Sequence, residues 1–430
     1  MLKERPLSRA LYTESCALMP GGVNSPVRAF KGMLSHPLMV KEGKGALIWD
    51  LDGHEYIDFC QSWGSLILGH SQDFVMKKIA EQLQRGTSFG IATPYEKELA
   101  AKIIRHLPSM EKLRFVSSGT EAAMSAVRLA RGFTGKPLLV KFNGHFHGAS
   151  DSLLVQAGSG VNYLPGASSR GIPEALARLT ASLPFNDVEV CRAFLNSRDD
   201  IAAVIVEPIA GNIGVIPAKF EFLQMLREET VKKGIILIFD EVITGFRVGL
   251  YGAQGLYQIK PDLTCLGKII GGGLPAAAFG GKQEIMDHLA PLGSVYQSGT
   301  LSGNPLAMCA GLATLCLLEQ EGFYSKLEQT LTDFLAPIRA FIKEKKLPIA
   351  IQSAGSMFTF FFGVRRVESK EDLLALDEEQ FKHFFSYLFN RGVYLAPSAY
   401  EAHFISSAHT KAQLEEVQEL ILSYLQVLPD

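Results

Sequence analysis

The chain has 430 residues, of which 47% are hydrophobic and 20% are charged, and its formal net charge at pH 7 is −2. This length buries a large core and exceeds the usual size of one compact domain. Acidic and basic residues are mixed, without a basic stripe or an acidic tail. That pattern argues against nucleic acid and against a membrane surface as partners, and it favours small molecules.

The six cysteines form no CxxC pair or closely spaced framework, which predicts reduced thiols in a reducing compartment. Residues 1–20 lack the apolar core of a signal peptide, and no apolar stretch is long enough to span a bilayer. We therefore expect a cytoplasmic globular protein, and we expect no metal ion.

Three segments of different pattern follow one another along the chain. Residues 1–67 are rich in glycine and proline, with a hairpin signal at 46–57, and predict an amino-terminal arm with a small sheet. Residues 68–318 alternate apolar strands with helical patterns, which is typical of a mainly parallel sheet covered by helices. Residues 319–430 predict a smaller α+β domain with a final helix at 411–427. The expected fold class is therefore α/β.

The first candidate site follows a predicted strand at residues 113–116. Ser117-Ser118-Gly119-Thr120-Glu121 opens a helix that runs to about residue 131. Backbone N–H groups at a helix start bind phosphate, helped by small hydroxyl side chains and a glycine. The same residues also fit an ordinary helix cap. A second turn of small residues, 297–305, precedes another helix and could add a hydroxyl to a phosphate or be a plain cap.

The loop at residues 156–172 stands apart. It carries four glycines among several small polar residues. Its length suits a lid over a site, although a surface loop has the same composition.

Polar residues end two further predicted strands, 202–206 and 235–239. Residues 207–212 follow the first strand, and Asp240 follows the second. Ligands in an open parallel sheet sit outside the carboxyl ends of the strands, so Asn212, Asp240 and Lys268 should converge on one crevice. Lys268 lies at the mouth of a glycine-rich turn that ends at Pro275.

Lys268 and Asp240 together indicate a cofactor. Pyridoxal phosphate requires a lysine to hold its aldehyde and an acidic residue to hold its ring nitrogen. Lys268 can form a Schiff base, be displaced by a substrate amine and then move protons. Asp240 can keep the ring nitrogen protonated and the ring electron-withdrawing. Singly, each residue fits a loop or a cap. With the phosphate turn, they predict a pyridoxal phosphate site.

Residues 239–242 and the Lys268 turn resemble the motifs of the class III aminotransferases, a group of fold-type I pyridoxal-phosphate enzymes. Further segments look like the glutamate-1-semialdehyde aminomutases of that group: residues 20–28, 156–160, 244–247, 296–305 and 392–401. The resemblance implies a homodimer with active sites at the subunit interface. It also implies a pyridoxal-phosphate isomerase, using the pyridoxamine form as well, that converts glutamate 1-semialdehyde to 5-aminolevulinate for tetrapyrrole synthesis.

Carried over by position, the resemblance gives each residue a role. Lys268 would hold the cofactor and move protons, and Asp240 would hold the ring nitrogen. Phe146, where the family often has tyrosine, would stack on the ring. The other cofactor contacts would be Ser118, Gly119, Thr120, His147, Asn212 and, from the partner subunit, Thr300. Arg28 would take the substrate carboxylate in a pocket lined by Ser25, Trp63, Ser159, Tyr296 and Glu401.

Positions beside the implied pocket depart from the family pattern, namely Ser65, Asn143, Ala149 and His403. They leave pocket shape and substrate choice open. An aminotransferase acting on two separate substrates shares every cofactor residue and stays an alternative. A racemase or epimerase side activity on ordinary amino acids is a lesser one. A binding protein without catalysis is disfavoured, because Lys268 and Asp240 are both intact.

Overall fold

The computed structural model describes residues 4–155 and 169–428. Its strands, β1 to β16 in chain order, are Val40–Lys44, Leu47–Asp50, Glu55–Asp58, Lys112–Val116, Leu138–Phe142, Thr180–Leu183, Ile201–Val206, Ile209–Ala210, Ile216–Pro217, Ile236–Glu241, Leu263–Leu266, Ala277–Gly281, Ile349–Ala354, Met357–Phe362, Val393–Tyr394 and His403–Phe404. Its helices, α1 to α14, are Pro6–Leu18, Gln61–Gly64, Asp73–Leu83, Pro94–His106, Gly119–Thr134, Glu174–Ala177, Val188–Asn196, Phe220–Lys233, Gly252–Tyr257, Gln283–Met286, Pro305–Leu318, Phe323–Glu344, Glu378–Phe389 and Lys411–Gln426.

The chain divides into two compact units. The first is made of Met1–Gln72, Ser325–Val367 and Glu371–Asp430. In it, β15 pairs in parallel with β3, so segments from both ends of the chain share a four-stranded sheet of order β1-β2-β3-β15. A three-stranded sheet, β13-β14-β16, belongs to the same unit. The three-domain division at residues 67 and 318 stays a prediction.

The second unit, Asp73–Tyr324 with Glu368–Lys370, contains a seven-stranded sheet of order β4-β12-β11-β10-β7-β5-β6. β12 is antiparallel to both of its neighbours, and the other pairs are parallel. Every residue of β5, β7 and β10 is buried. Parallel strands covered on both faces need such continuous apolar sequences. The predicted α/β class with a mainly parallel sheet is therefore confirmed.

Local patterns predicted the central strands β7 and β10 and several helices but missed α1. That helix begins at Pro6, and Asp52 accepts the N–H groups of Leu7 at 2.7 Å and Ser8 at 3.0 Å. The Ser8 hydroxyl also donates to Asp52. The free N–H groups of a helix start are normally capped by a neighbouring side chain. Here the cap comes from 44 residues away and leaves no local signal.

None of the described helices alone combines the length and apolar composition needed to cross a membrane. Two successive helices, α11 and α12, meet that criterion only when taken together, and they are bent by 76° where they join. All six cysteines are free thiols in the structure.

Candidate active site

Asp240 and Lys268 lie at the same edge of the seven-stranded sheet. β10 and β11 are parallel neighbours, with Asp240 opposite Cys265 and Glu241 opposite Leu266. Lys268 follows β11 after one residue, Gly267, and begins the short 3₁₀ turn Lys268–Gly271. Both residues therefore lie at carboxyl ends of adjacent strands, as the sequence predicted.

The Asp240 carboxylate is buried, and each of its two oxygens has a hydrogen-bond partner. Only 5% of Asp240 is exposed. Its Oδ2 lies 2.7 Å from His147 Nδ1, and its Oδ1 accepts the N–H of Val242 at 3.0 Å. His147 is 1% exposed, and its Nε2 has no hydrogen-bond partner among the residues described. The histidine thus fixes the orientation of a buried carboxylate.

Lys268 adopts a left-handed backbone, with φ of +47°. This conformation costs a residue with a side chain about 1–2 kcal/mol, and such strain concentrates at functional sites. Just before it, Gly267 leaves room for Val242. A Cβ at Gly267 would lie 3.1 Å from Val242 Cγ1.

The start of α5 packs against the same valine. A Cβ at Gly119 would also lie 3.1 Å from Val242 Cγ1. Val242 therefore contacts both the helix that opens at Gly119 and the turn that precedes Lys268. It follows Asp240 by two residues. Three segments that the sequence singled out separately thus meet around one side chain.

The start of α5 has the contacts of an ordinary helix cap, and its role as an anion-binding turn stays a prediction. The Ser118 hydroxyl accepts the N–H of Glu121 at 3.2 Å, and the Glu121 carboxylate accepts the N–H of Ser117 at 2.7 Å. The Thr120 hydroxyl accepts the N–H of Ala149 at 3.2 Å, which leaves its own proton available to an anion. The positive end of the helix dipole lies at this terminus.

Glu207 is the organising residue that the sequence analysis passed over. Its carboxylate accepts the N–H of Phe146 at 2.8 Å, the N–H of Gly211 at 2.9 Å and the side-chain amide of Asn212 at 2.9 Å. Its own N–H donates to His145 Nδ1 at 3.1 Å. The buried carboxylate therefore ties the Phe146 segment to the Asn212 segment. Its signal in the sequence was a charged residue directly after an apolar strand.

Burial shapes the protonation of this group. It raises the pKa of Glu207, an effect partly opposed by the nearby His147. It lowers the pKa of His145 well below the ordinary value, with further lowering by His147 and Lys141. His145 is therefore uncharged at neutral pH.

Two other predicted residues of this unit lie in exposed positions. Tyr296 is 69% exposed, and its carbonyl accepts an N–H of Arg128 at 3.0 Å. Thr300 lies in the exposed turn before α11. Among the described residues, no hydrogen bond joins Thr300 to the start of α5. Ser159 and most of the loop predicted as a lid lie outside the described residues.

The remaining predicted residues belong to the first unit. Ser25 is half-buried, and its carbonyl accepts the N–H of Arg28 at 3.0 Å, while the Arg28 side chain is exposed. Trp63 is half-buried and has a left-handed φ of +58°. Glu401 is 8% exposed, and its carbonyl accepts the Thr359 hydroxyl at 3.3 Å.

The departures from the family pattern have ordinary contacts. Asn143 Oδ1 accepts the hydroxyl of Ser182 at 2.8 Å. His403 is fully buried, and its Nδ1 accepts the N–H of Ala396 at 3.3 Å. Within residues 4–155 and 169–428, no group of three or more His, Cys, Asp or Glu side chains is placed to hold a metal ion.

Known proteins that are similar to this chain in sequence or in structure indicate one family. The class III aminotransferase pattern matches residues 31–421. A glutamate-1-semialdehyde 2,1-aminomutase from Protochlamydia amoebophila is 54% identical over 98% of this chain and 99% of its own length. An omega-transaminase from Sphaerobacter thermophilus has a similar structure, with a TM-score of 0.89 and 31% identity over 97% of each chain.

A second solved structure is similar to this one. It is a glutamate-1-semialdehyde aminomutase from Pseudomonas aeruginosa in complex with PMP, with a TM-score of 0.88 and 28% identity, covering 98% of this chain and 94% of that one. The match to the family pattern extends over most of the chain, and the relatives align over nearly all of it. The chain therefore belongs to the class III aminotransferase family.

Proposed function

We propose that this protein is a pyridoxal-phosphate isomerase that converts glutamate 1-semialdehyde to 5-aminolevulinate, a step of tetrapyrrole synthesis. The assignment of this substrate rests on the 54% identity to the Protochlamydia amoebophila aminomutase, which extends over nearly the full length of both chains. The buried Asp240 at the carboxyl end of β10, one strand from Lys268, supports the cofactor.

The residues present fit pyridoxal phosphate. The glycines at 119 and 267 let the start of α5 and the Lys268 turn pack closely against Val242, which brings these two segments together. A helix start with Ser118 and Thr120 suits the phosphate, and a buried carboxylate suits a protonated ring nitrogen. When bound, the cofactor withdraws electrons from the carbon that carries the amine, and its amine form supplies the transferred nitrogen.

Each side chain then has a specific task. Asp240, oriented by His147, holds the proton on the ring nitrogen. Lys268 Nζ holds the cofactor between turnovers and transfers protons during them. Ser118, Gly119 and Thr120 bind the phosphate. Phe146, whose N–H is held by Glu207, covers one face of the ring, and Asn212 is oriented by the same carboxylate.

The substrate pocket and the assembly are part of the same proposal. By the resemblance to the family, Arg28 would take the substrate carboxylate, and the residues assigned to the pocket are Ser25, Trp63, Ser159, Tyr296 and Glu401. The exposure of Tyr296 and Thr300 is what a second subunit would cover. We therefore infer a homodimer in which Thr300 completes the phosphate site of its partner. The free cysteines support the proposal of a reducing, cytoplasmic location.

The decisive experiment incubates purified protein with glutamate 1-semialdehyde and no second amino donor or acceptor. The isomerase forms 5-aminolevulinate in many turnovers. An aminotransferase with two separate substrates stops after one turnover and resumes only when an amino donor or a keto acid is added. That outcome would replace the proposal with the aminotransferase alternative.

A further inference from the structure

Lys141 is a buried lysine that the proposed chemistry does not use. It is a cation within the apolar strand β5 and is completely buried. Its Nζ donates to three backbone carbonyls, those of His145 at 2.9 Å, Leu153 at 3.1 Å and Val155 at 2.8 Å. A buried ammonium is unfavourable unless its hydrogens find acceptors, and here each of the three has one.

The three carbonyls belong to the segment that carries Phe146, proposed above to cover the cofactor ring, and His147, which contacts Asp240. His145 directly precedes Phe146 and His147, and Leu153 and Val155 lie at the other end of the same segment. A single ammonium group thus joins both ends of residues 145–155. Without it, two buried carbonyls and the partly buried carbonyl of Val155 would lose their donor, which destabilises this conformation.

Other contacts hold the same residues from different directions. The N–H of Phe146 donates to Glu207, and Nδ1 of His145 accepts the N–H of Glu207. The ring of His147 meets Asp240 at 2.7 Å. Lys141 is the member of this network that fixes the carbonyl of His145. Residues 145–147 are therefore held through the carbonyl of His145, the N–H of Phe146 and the imidazole rings of His145 and His147.

We propose that Lys141 is a positioning residue that keeps Phe146 and His147 in place for the cofactor by holding the carbonyls of residues 145–155. The inference rests on the proposed function for the role of Phe146 and His147. It concerns no contact with substrate, so its loss should act through the placement of those two side chains.

The charge on Lys141 makes this role sensitive to pH. Burial lowers its pKa to about 7, attraction to Glu207 opposes the lowering, and repulsion from Lys370 adds to it. His145, which also faces this group, stays uncharged near neutral pH. An uncharged amine has two N–H donors in place of three. One of the three carbonyls therefore loses its hydrogen bond as the pH rises through this range.

The test compares Lys141→Met, which keeps the length of the side chain without its donors, with Lys136→Met. Lys136 Nζ donates to the Lys233 carbonyl at 3.4 Å, away from residues 145–155. Amide hydrogen exchange is measured on the full-length protein without substrate. Losing one buried hydrogen bond corresponds to about a fivefold change. Protection of residues 145–155 should fall by at least that factor in Lys141→Met and stay unchanged in Lys136→Met.

Two further readouts separate positioning from general stability. With pyridoxamine phosphate bound, circular dichroism of the cofactor band should weaken in Lys141→Met, because Phe146 is held less firmly against the cofactor ring. In turnover, kcat should fall about tenfold while KM stays within a factor of about two, since positioning acts on the reacting complex. Equal protection and equal circular dichroism in the two variants would overturn the proposal.

The wild-type protein provides a test that does not depend on the folding of a variant. Corrected for intrinsic exchange rates, protection of residues 145–155 should decline between pH 6 and pH 9, while that of α8 stays constant. A flat profile over residues 145–155 would show that Lys141 keeps its charge and its three donors up to pH 9, which would overturn the pH dependence and leave the positioning role to the comparison of Lys141→Met with Lys136→Met. The hydrogen-exchange measurements need no turnover. Failure to isomerise the semialdehyde would therefore reject the proposed function without deciding whether Lys141 holds residues 145–155.

Discussion

Asp240 Oδ2 and His147 Nδ1 are 2.7 Å apart, although 93 residues separate them in the chain. Both side chains are almost completely buried, and the second carboxylate oxygen accepts the N–H of Val242. The carboxylate is therefore fixed before any ligand arrives. Preorganised charge of this kind stabilises a positive ring nitrogen without reorganisation during the reaction.

Asp240→Asn keeps the shape of the side chain and removes its charge. We expect kcat to fall by at least about 100-fold, the size of effect seen when one preorganised electrostatic partner is removed. Steady-state kinetics with glutamate 1-semialdehyde measure it. The control is Asp287→Asn, which removes a surface carboxylate that pairs with Lys112. Comparable kcat values in the two variants would exclude Asp240 from its role.

Lys268→Ala removes the covalent link and the mobile proton carrier. We expect turnover to fall by at least about three orders of magnitude, while pyridoxamine phosphate, which needs no covalent link, still binds. Equilibrium dialysis measures the binding, and product formation measures the turnover. Lys260→Ala, at an exposed position, is the matched control. Substantial turnover by Lys268→Ala would refute the assignment.

Gly119→Ala tests the approach of α5 to Val242. The added Cβ would lie 3.1 Å from Val242 Cγ1, so Val242 must shift. We expect a net loss of stability of about 1 kcal/mol, because this crowding should exceed what alanine gains over glycine in a helix, and we expect weaker cofactor binding. In the double variant with Val242→Ala, the loss of stability should be smaller than the sum of the two single losses, because the crowded methyl groups are gone. Cofactor affinity should stay reduced if the glycine also admits the phosphate. Denaturant titration and cofactor titration distinguish the two effects.

If the double variant shows this smaller loss of stability and also regains cofactor affinity, Gly119 serves only packing. If Gly119→Ala alone changes neither stability nor cofactor affinity, the close contact between α5 and Val242 does not contribute measurably to either one.

Buried His403 should make stability depend on pH. Burial lowers its pKa to about 3, from an ordinary value of 6.5. Between these values the unfolded chain binds a proton that the folded chain does not, so stability is lost as the pH falls below 6.5. From pH 7.5 to pH 5, this histidine alone should lower the free energy of unfolding by about 2 kcal/mol.

His403→Asn isolates this contribution, because asparagine can still accept the N–H of Ala396. Urea unfolding at several pH values should show a shallower acid dependence for the variant than for the wild type. The slopes should differ by nearly one proton at pH 5. Parallel curves would mean that His403 takes up a proton in the folded protein as readily as in the unfolded chain.

The sequence by itself determined the elements and the chemistry they carry. Continuous apolar runs predicted β7 and β10, because strands buried on both faces have no polar side. The strands predicted at residues 202–206 and 235–239 correspond to β7, Ile201–Val206, and β10, Ile236–Glu241. Asp240 and Lys268 could be expected at one sheet edge, since parallel strands place their carboxyl ends together.

Only the tertiary structure decided which groups hold those residues. Asp52 caps α1 across 44 residues, β15 pairs with β3, and His147 meets Asp240, yet none of these contacts leaves a pattern within a local window. The sequence does not show that the charged side chains of Lys141 and Glu207 are buried and bonded to backbone groups, as they are in the fold. Local sequence encodes backbone preference and apolar periodicity, whereas the pairing of buried polar groups depends on which distant segments the fold brings together.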